Sequence, residues 1–477
     1  MRHPASCVLL FLVLLGVAGC SYPIRNEAIV SANRDQYKWT DPGPNSFGDT
    51  LVIVTASGGG TRAAALSMAV LKTMDAVRLA SGRSLADEID ILSSVSGGSV
   101  TAGYFALTGA AGLPTLEKNF IRKDGMTPLL LRGLNPVGLA VLSTPSTERI
   151  DLLIDYLDQQ LFKDATFKAL IGRRPYLILN AADMVEGVPF PFTQYTMDLL
   201  CSDLTPMKLS TAVAASAAFP VALSPVTLKN YQPCKIKSPP GWLKQAARTS
   251  WYLDPPRVAL GRTAQAYASG EKKYIHLLDG GIADNLGVNE PFRLLTSDDV
   301  APLFKDDIAK GRIRKIIFVM VNARSAKPSE LDSQQATPGV IDMLTASIGA
   351  SIDRASFSTA ERLRTLLLTD FRGIANDADT AGFKDIAANF RTVAGNTKFL
   401  AVDFDAIANP ACRESFHSIA TSWSLSGQEI DALNAMGEAL LAQHHDFPAM
   451  LQMVGGRPER TFRTIEEACA LLPSPGG

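Results

Sequence analysis

What this 477-residue chain has little of narrows its function before any motif is read. It has no surplus of positive charge: 46 Lys and Arg stand against 47 Asp and Glu, a formal net charge of −1. A dedicated nucleic-acid binder carries a basic excess, so that class is set aside. Cysteine is scarce, with six residues and no Cys-x-x-Cys pair, which excludes a zinc-ribbon site and a disulfide scaffold. Histidine is scarcer still, at five. Beyond the first eighteen residues no window holds 18 uninterrupted apolar residues, so nothing later reads as a helix spanning about 30 Å of hydrocarbon. Internal repeats and low-complexity linkers are also missing. What is present is a large apolar fraction, 47%, enough to bury a sizeable core and exclude a disordered chain.

The N-terminus reads as an address. Arg2 and His3 precede an apolar run from Val8 to Ala18, short for a membrane span and suited to a signal-peptide core. Val17-Ala18-Gly19-Cys20 matches the bacterial lipobox, whose cysteine receives a diacylglycerol. The expectation is a signal peptide over 1–19, lipidation at Cys20 and a polar tether over 20–49. Ser21 after the cysteine points to an outer-membrane lipoprotein facing the periplasm. The alternative is an ordinary secretory signal with a chance cysteine. An exported compartment permits disulfides. The most local pairing of the four remaining cysteines is Cys201–Cys234 with Cys412–Cys469, against four buried thiols.

From Leu51 onward short apolar runs alternate with helical periodicity. Leu51–Thr55, Ile89–Leu92, Tyr176–Leu179, Ile316–Val321 and Phe399–Phe404 read as buried strands. Ala63–Leu79 reads as a helix, and Ile150, Leu153, Ile154, Leu157 and Leu161 form a stripe at helical spacing. Ser426 with Glu429 makes a capping box before a helix through about Leu441. Such alternation predicts an α/β sheet flanked by helices in one catalytic domain over 50–460, with a tail over 461–477.

Three motifs carry chemistry. Leu51–Thr55 runs through Ser57 into Gly58-Gly59-Gly60-Thr61-Arg62 and then a helix. Consecutive glycines there let backbone N–H groups converge at a helix N-terminus, a setting for a phosphate or a developing oxyanion. No Gly-Lys-Ser/Thr follows, so this is not a P-loop. The next strand runs into Ser93-Ser94-Val95-Ser96-Gly97-Gly98-Ser99, a strand-to-helix turn of the nucleophile-elbow kind. Ser96 has the glycines after it, while Ser93, Ser94 and Ser99 are its competitors. A strand over Tyr274–Leu278 delivers Asp279-Gly280-Gly281, an aspartate with open backbone around it. A serine needs a base, and the histidines outside the leader are His276, His417, His444 and His445. Neither His417 nor His444-His445 has a motif around it, while His276 lies on the strand that delivers Asp279.

In this order and spacing, Gly-Gly-Gly-x-Arg, Ser-x-Ser-Gly-Gly about 36 residues later and Asp-Gly-Gly about 180 beyond resemble the patatin-like phospholipases. Leu209–Pro220 resembles the family's Ala/Ser-rich helix ending in Phe-Pro, so the likeness covers roughly Leu51–Leu286. It implies a three-layer α/β/α fold with a central, mostly parallel sheet. It implies a serine lipid acyl hydrolase, of phospholipase A or lysophospholipase type, acting on phospholipid or another acyl-ester lipid with no cofactor and no metal. It assigns Ser96 as nucleophile, Asp279 as base, Gly58, Gly59 and Gly60 as oxyanion hole, and Arg62 to a phosphate headgroup or to holding the loop. Ser94 and Ala63 depart from the family's glycines. Two other readings stay open: a Ser–His–Asp esterase of the α/β-hydrolase type, and a non-catalytic lipid-binding lipoprotein. Finally, Leu204–Leu253 contains six Lys and Arg and no Asp or Glu. Its second half, about 229–253, is expected to be a basic, aromatic insertion at the rim of the site, docking on anionic lipid.

Overall fold

The computed structural model describes residues 23–30, 36–39, 48–124, 148–220, 222–234, 243, 255–296, 304–325, 335, 337–365 and 369–472. The expected signal peptide, Cys20, most of the 229–253 insertion and the last five residues lie outside the described residues.

Twelve strands occur among them. They are β1 (Glu27–Ala28), β2 (Thr50–Ala56), β3 (Val77–Arg78), β4 (Ile91–Val95), β5 (Tyr176–Asp183), β6 (Pro189–Pro191), β7 (Ser202–Asp203), β8 (Val226–Lys229), β9 (Tyr274–Asp279), β10 (Lys315–Asn322), β11 (Thr397–Asp403) and β12 (Arg457–Pro458). Eight of these form the central sheet, in the order β11-β10-β2-β4-β5-β9-β8 with β6 beside β5. β11, β10, β2, β4 and β5 run parallel, while β9, β8 and β6 form antiparallel pairs at one side. The mixed, mostly parallel sheet flanked by helices is the expected three-layer arrangement. β2, β4 and β5 are buried along their whole length, and β2 and the first half of β5 accordingly read as apolar runs. β4 spans Ile91–Val95 rather than the expected Ile89–Leu92, because its buried Ser93 and Ser94 interrupt the apolar pattern.

The helices that bear on the site are α1 (Gly60–Asp75), α2 (Gly97–Thr108), α3 (Arg149–Leu157), α4 (Leu209–Ser216), α5 (Gly281–Asp284), α6 (Val340–Thr365) and α7 (Gly427–Ala442). The capping box before α7 is present in both directions, Ser426 with Glu429. α1 ends at Asp75, short of the expected Leu79, because Val77–Arg78 pair with Arg457–Pro458 instead.

The chain ends differ from expectation. The polar 20–49 stretch is not a free tether throughout, since its described residues are docked on the body. Asn26 brackets the edge of β8, β1 pairs with β7, and Arg25 binds Asp151 and Glu148 of the α3 N-terminus. Tyr37 is buried, its hydroxyl accepting from Leu177 N–H at 2.8 Å and donating to Leu177 C=O at 3.0 Å. Polar composition concealed these contacts because each is made by one specific side chain. Likewise 461–472 is no loose tail: Ile465–Cys469 is a helix with its own capping box, and Cys469 is bonded to Cys412. Cys201 is bonded to Cys234, so both local pairings are realised. Among the described residues no helix is long and apolar enough to cross a membrane.

Candidate active site

The site forms at the C-terminal ends of β2, β4 and β9, with β5 lying between β4 and β9. β4 delivers Ser96, whose φ of 51° and ψ of −123° form the strained strand-to-helix corner of an elbow. Three neighbours hold that corner. The Ser96 N–H donates to Ser216 Oγ at 2.9 Å, and Ser216 in turn donates to the Asn180 carbonyl at 2.6 Å. A Cβ on Gly97 would lie 1.9 Å from the Gly60 carbonyl oxygen, and one on Gly98 2.6 Å from that of Ser57. Glycine is therefore demanded here by close packing of the two loops.

β9 runs antiparallel to β5 in a register that sets Asp279 opposite Ala181, one residue beyond Asn180, which faces Val95. That register brings the two motifs together: Ser96 Oγ donates to Asp279 Oδ2 at 2.7 Å. The other carboxylate oxygen, Oδ1, accepts from Gly281 N–H at 2.8 Å. Burial pushes the Asp279 carboxyl up to about 6, against the two hydrogen bonds that favour its charged form. A carboxylate so placed is a stronger base than one in water.

The competing serines are otherwise engaged. Ser93 Oγ donates to Gly287 C=O at 2.6 Å, and Ser99 Oγ donates to Ser94 Oγ at 3.1 Å. Ser94, standing where the family pattern has glycine, is thus accommodated by a hydroxyl partner in a fully buried position. The histidines bind elsewhere. His417 Nε2 lies 2.9 Å from Asp405 and its Nδ1 3.2 Å from the Arg324 carbonyl, while His276 Nδ1 lies 3.0 Å from Thr227 Oγ1. Neither bonds Ser96. His444, His445 and Asp446 could place ligand atoms within 4.8 Å of one another, but they too have no bond to the serine–aspartate pair.

The glycine loop needs two corrections. The Gly58 N–H donates to the Asn285 carbonyl at 3.0 Å, so Gly58 offers no donor to an oxyanion. It supplies room: a Cβ there would lie 2.3 Å from Asn285 Oδ1 and 3.3 Å from Ser96 Cβ. Gly59 and Gly60, at φ of 137° and 60°, form the N-terminal corner of α1, and their N–H groups have no acceptor among the described residues. The Gly97 N–H, at the start of α2, is in the same condition.

Of the two roles expected for Arg62, its contacts are those of holding the loop and not of facing a headgroup. It is 2% exposed, its Nε donates to Ala323 C=O at 2.8 Å, Nη2 donates to Thr421 Oγ1 at 2.9 Å, and Nη1 donates to the Ile419 carbonyl. Desolvation lowers its pKa to about 10. The Thr61 N–H donates to Ser422 C=O at 2.8 Å beside it. A strap over 419–424 therefore lies on the glycine loop. Its sequence, Ile-Ala-Thr-Ser-Trp-Ser, does not signal that position, because its part is played by two backbone carbonyls, which any residue carries, and one threonine hydroxyl.

A family model described as patatin-like phospholipase matches residues 54–292, and the strap lies outside that span. Among solved structures the chain is similar to one titled human GIVD cytosolic phospholipase A2, at 13% identity and a TM-score of 0.33. That likeness takes in 62% of this chain and 48% of the other, so it spans about half of the human chain. No curated protein matches this chain.

Proposed function

This chain belongs to the patatin-like phospholipase family, and on that premise we propose that it is a serine acyl hydrolase that cleaves fatty-acyl esters of lipids through a Ser96–Asp279 dyad. The observation that carries the reading is the 2.7 Å bond from Ser96 Oγ to a buried Asp279 carboxylate, made at a strained elbow. Asp279 takes the hydroxyl proton as Ser96 Oγ attacks the ester carbonyl. The oxyanion that forms is received by the unoccupied N–H groups of Gly59 and Gly60, with Gly97 N–H beside them. Each such donor is typically worth about 3–4 kcal/mol in the transition state. Collapse breaks the ester bond, the Asp279 proton leaves with the alcohol, and an acyl-Ser96 remains. Water then gives its proton to Asp279, attacks the acyl carbonyl and frees the fatty acid.

Ser96→Ala and Asp279→Asn are each expected to abolish release of fatty acid from mixed phospholipids, followed by mass analysis, while the fold persists by circular dichroism. A fluorophosphonate should label Ser96 and fail to label Ser96→Ala. Alanine at His276 or His417 should leave substantial activity. Full activity in Asp279→Asn would sink the dyad, and loss at a histidine would restore the Ser–His–Asp alternative. A chain that binds lipid but never turns over would be the non-catalytic lipoprotein.

For location, the lipobox supports anchoring through a lipid on Cys20 in the outer membrane, facing the periplasm. Cys20→Ala should lose fatty-acid metabolic label and membrane fractionation together; label that persists on that variant overturns the anchor.

A further inference from the structure

The elbow and the glycine loop sit at the ends of the parallel strands, yet the β5–β9 ribbon does not stop there. Asn180 of β5 faces Val95, the residue before Ser96, and β5 continues three residues to Asp183, opposite Leu277. The Met184 N–H still donates to His276 C=O at 2.8 Å. The ribbon thus projects past the elbow, at the end of the sheet where the site lies. At its tip Met184, Val185 and Tyr274 stand 45%, 68% and 52% exposed.

The row continues sideways. Tyr274 pairs with Lys229 of β8, and Asn26 brackets Lys229 by accepting from its N–H at 2.8 Å and donating to its carbonyl at 3.0 Å. At about 4.8 Å per strand, the row from β5 across β9 and β8 to Asn26 is about 14 Å wide. Ile24, two residues earlier, is 48% exposed. Three of the eight large apolar side chains standing exposed among the described residues therefore gather at the ribbon's tip, and a fourth, Ile24, lies two residues from the Asn26 that closes the row. At the tip Lys272 is held by Asp183 and Glu186 at 3.3 and 2.8 Å.

The sequence adds a restraint of its own. Cys20 precedes Asn26 by six residues, and six extended residues reach at most about 21 Å. A lipid on Cys20 therefore holds this rim, rather than the opposite face, within that distance of the bilayer.

We propose that the rim of Ile24, Met184, Val185 and Tyr274 is the surface on which the protein sits on a phospholipid bilayer, turning the Ser96 site toward the lipid. The apolar side chains enter the acyl boundary and the tyrosine ring settles among the headgroups. Because Lys272 at the described tip is neutralised by two carboxylates, the docking that these four side chains contribute depends little on anionic lipid or salt. The purpose of the docking rests on the acyl-hydrolase reading; the docking itself is measured without turnover.

The test uses the chain from Ser21, which lacks the lipid but keeps every described residue. Co-flotation is measured with vesicles of phosphatidylcholine alone and with added phosphatidylglycerol, at low and high salt. Paired Val185→Glu and Tyr274→Glu changes should lower vesicle affinity about tenfold or more on both lipids at both salts. Paired serine changes at the same positions should give a smaller loss, and thermal unfolding of both variants should match the parent. Phe383→Glu, an exposed apolar side chain on another element, should change nothing. Hydrolysis of a monomeric short-chain ester should be unchanged in all. A parent chain that does not float, rim variants that float like the parent, or an equal loss in Phe383→Glu overturns the proposal. A parent that floats but never hydrolyses the monomeric ester overturns the hydrolase reading alone.

Discussion

At the scale of single residues, burial sets the working range of Asp279. Desolvation is the larger influence and raises its pKa to about 6, while the bonds from Ser96 and Gly281 oppose the rise. The acyl-transfer rate, kcat/KM on a soluble ester, should therefore climb with pH and level off above about pH 6, as the carboxylate form fills. The same shift acts on stability. Between the unfolded pKa near 4 and the folded value near 6, the native state holds the proton more tightly than the unfolded chain. Stability from this group accordingly rises as pH falls through 6 toward 4, and is lowest above 6. Asp284, also buried and raised to about 6, acts in the same direction. Asp279→Asn, which carries no charge to desolvate, should unfold at higher denaturant at pH 7–8, by an increment on the order of 1–3 kcal/mol. An equal or lower midpoint would mean that the carboxylate is not strained by its surroundings.

At the scale of elements, the glycine loop is positioned from outside the family-matched span. Arg62 ties its own helix to the end of β10 through Ala323 and to the strap through Ile419 and Thr421. The strap comes so close that a Cβ on Gly60 would lie 2.5 Å from the Ser422 carbonyl oxygen. If the proposed oxyanion donors are aimed by this packing, Arg62→Met should cut kcat by about tenfold or more with little change in KM. The ratio of rates on choline and ethanolamine phospholipids should stay the same. A loss confined to KM on one headgroup would return Arg62 to substrate binding. Arg62→Lys, which keeps the charge but not the fork of donors, should restore little.

At the scale of the whole molecule, two covalent ties fasten peripheral segments to the sheet's surroundings. Cys201–Cys234 closes a 33-residue separation and Cys412–Cys469 one of 57. In the chain-entropy account, each is worth up to about 4 kcal/mol by restricting the unfolded chain. A Cys412→Ala and Cys469→Ala double variant should lose about 2–4 kcal/mol in urea unfolding. A reductant should lower the melting temperature of the parent but not further lower that of a chain lacking all four cysteines.

The sequence by itself marked β2, β5 and β10, because strands buried on both faces carry apolar runs. It put β4 at Ile89–Leu92 rather than Ile91–Val95, where the buried Ser93 and Ser94 break the run, and it left β6 and β8 unmarked. It was also enough to single out Ser96 and Asp279, since the tight turns beside them admit only glycine, and glycine shows in a sequence. The opposite was true wherever a partner was a backbone group or a lone side chain. That Gly58 spends its N–H on Asn285, that Arg62 is enclosed by two carbonyls and a hydroxyl, and that Asn26 and Tyr37 belong to the body were decided by tertiary contacts. Carbonyl and N–H groups are the same at every position, so the sequence has no mark for which of them will meet; only the folded register of β5 with β9 and the path of the strap choose them.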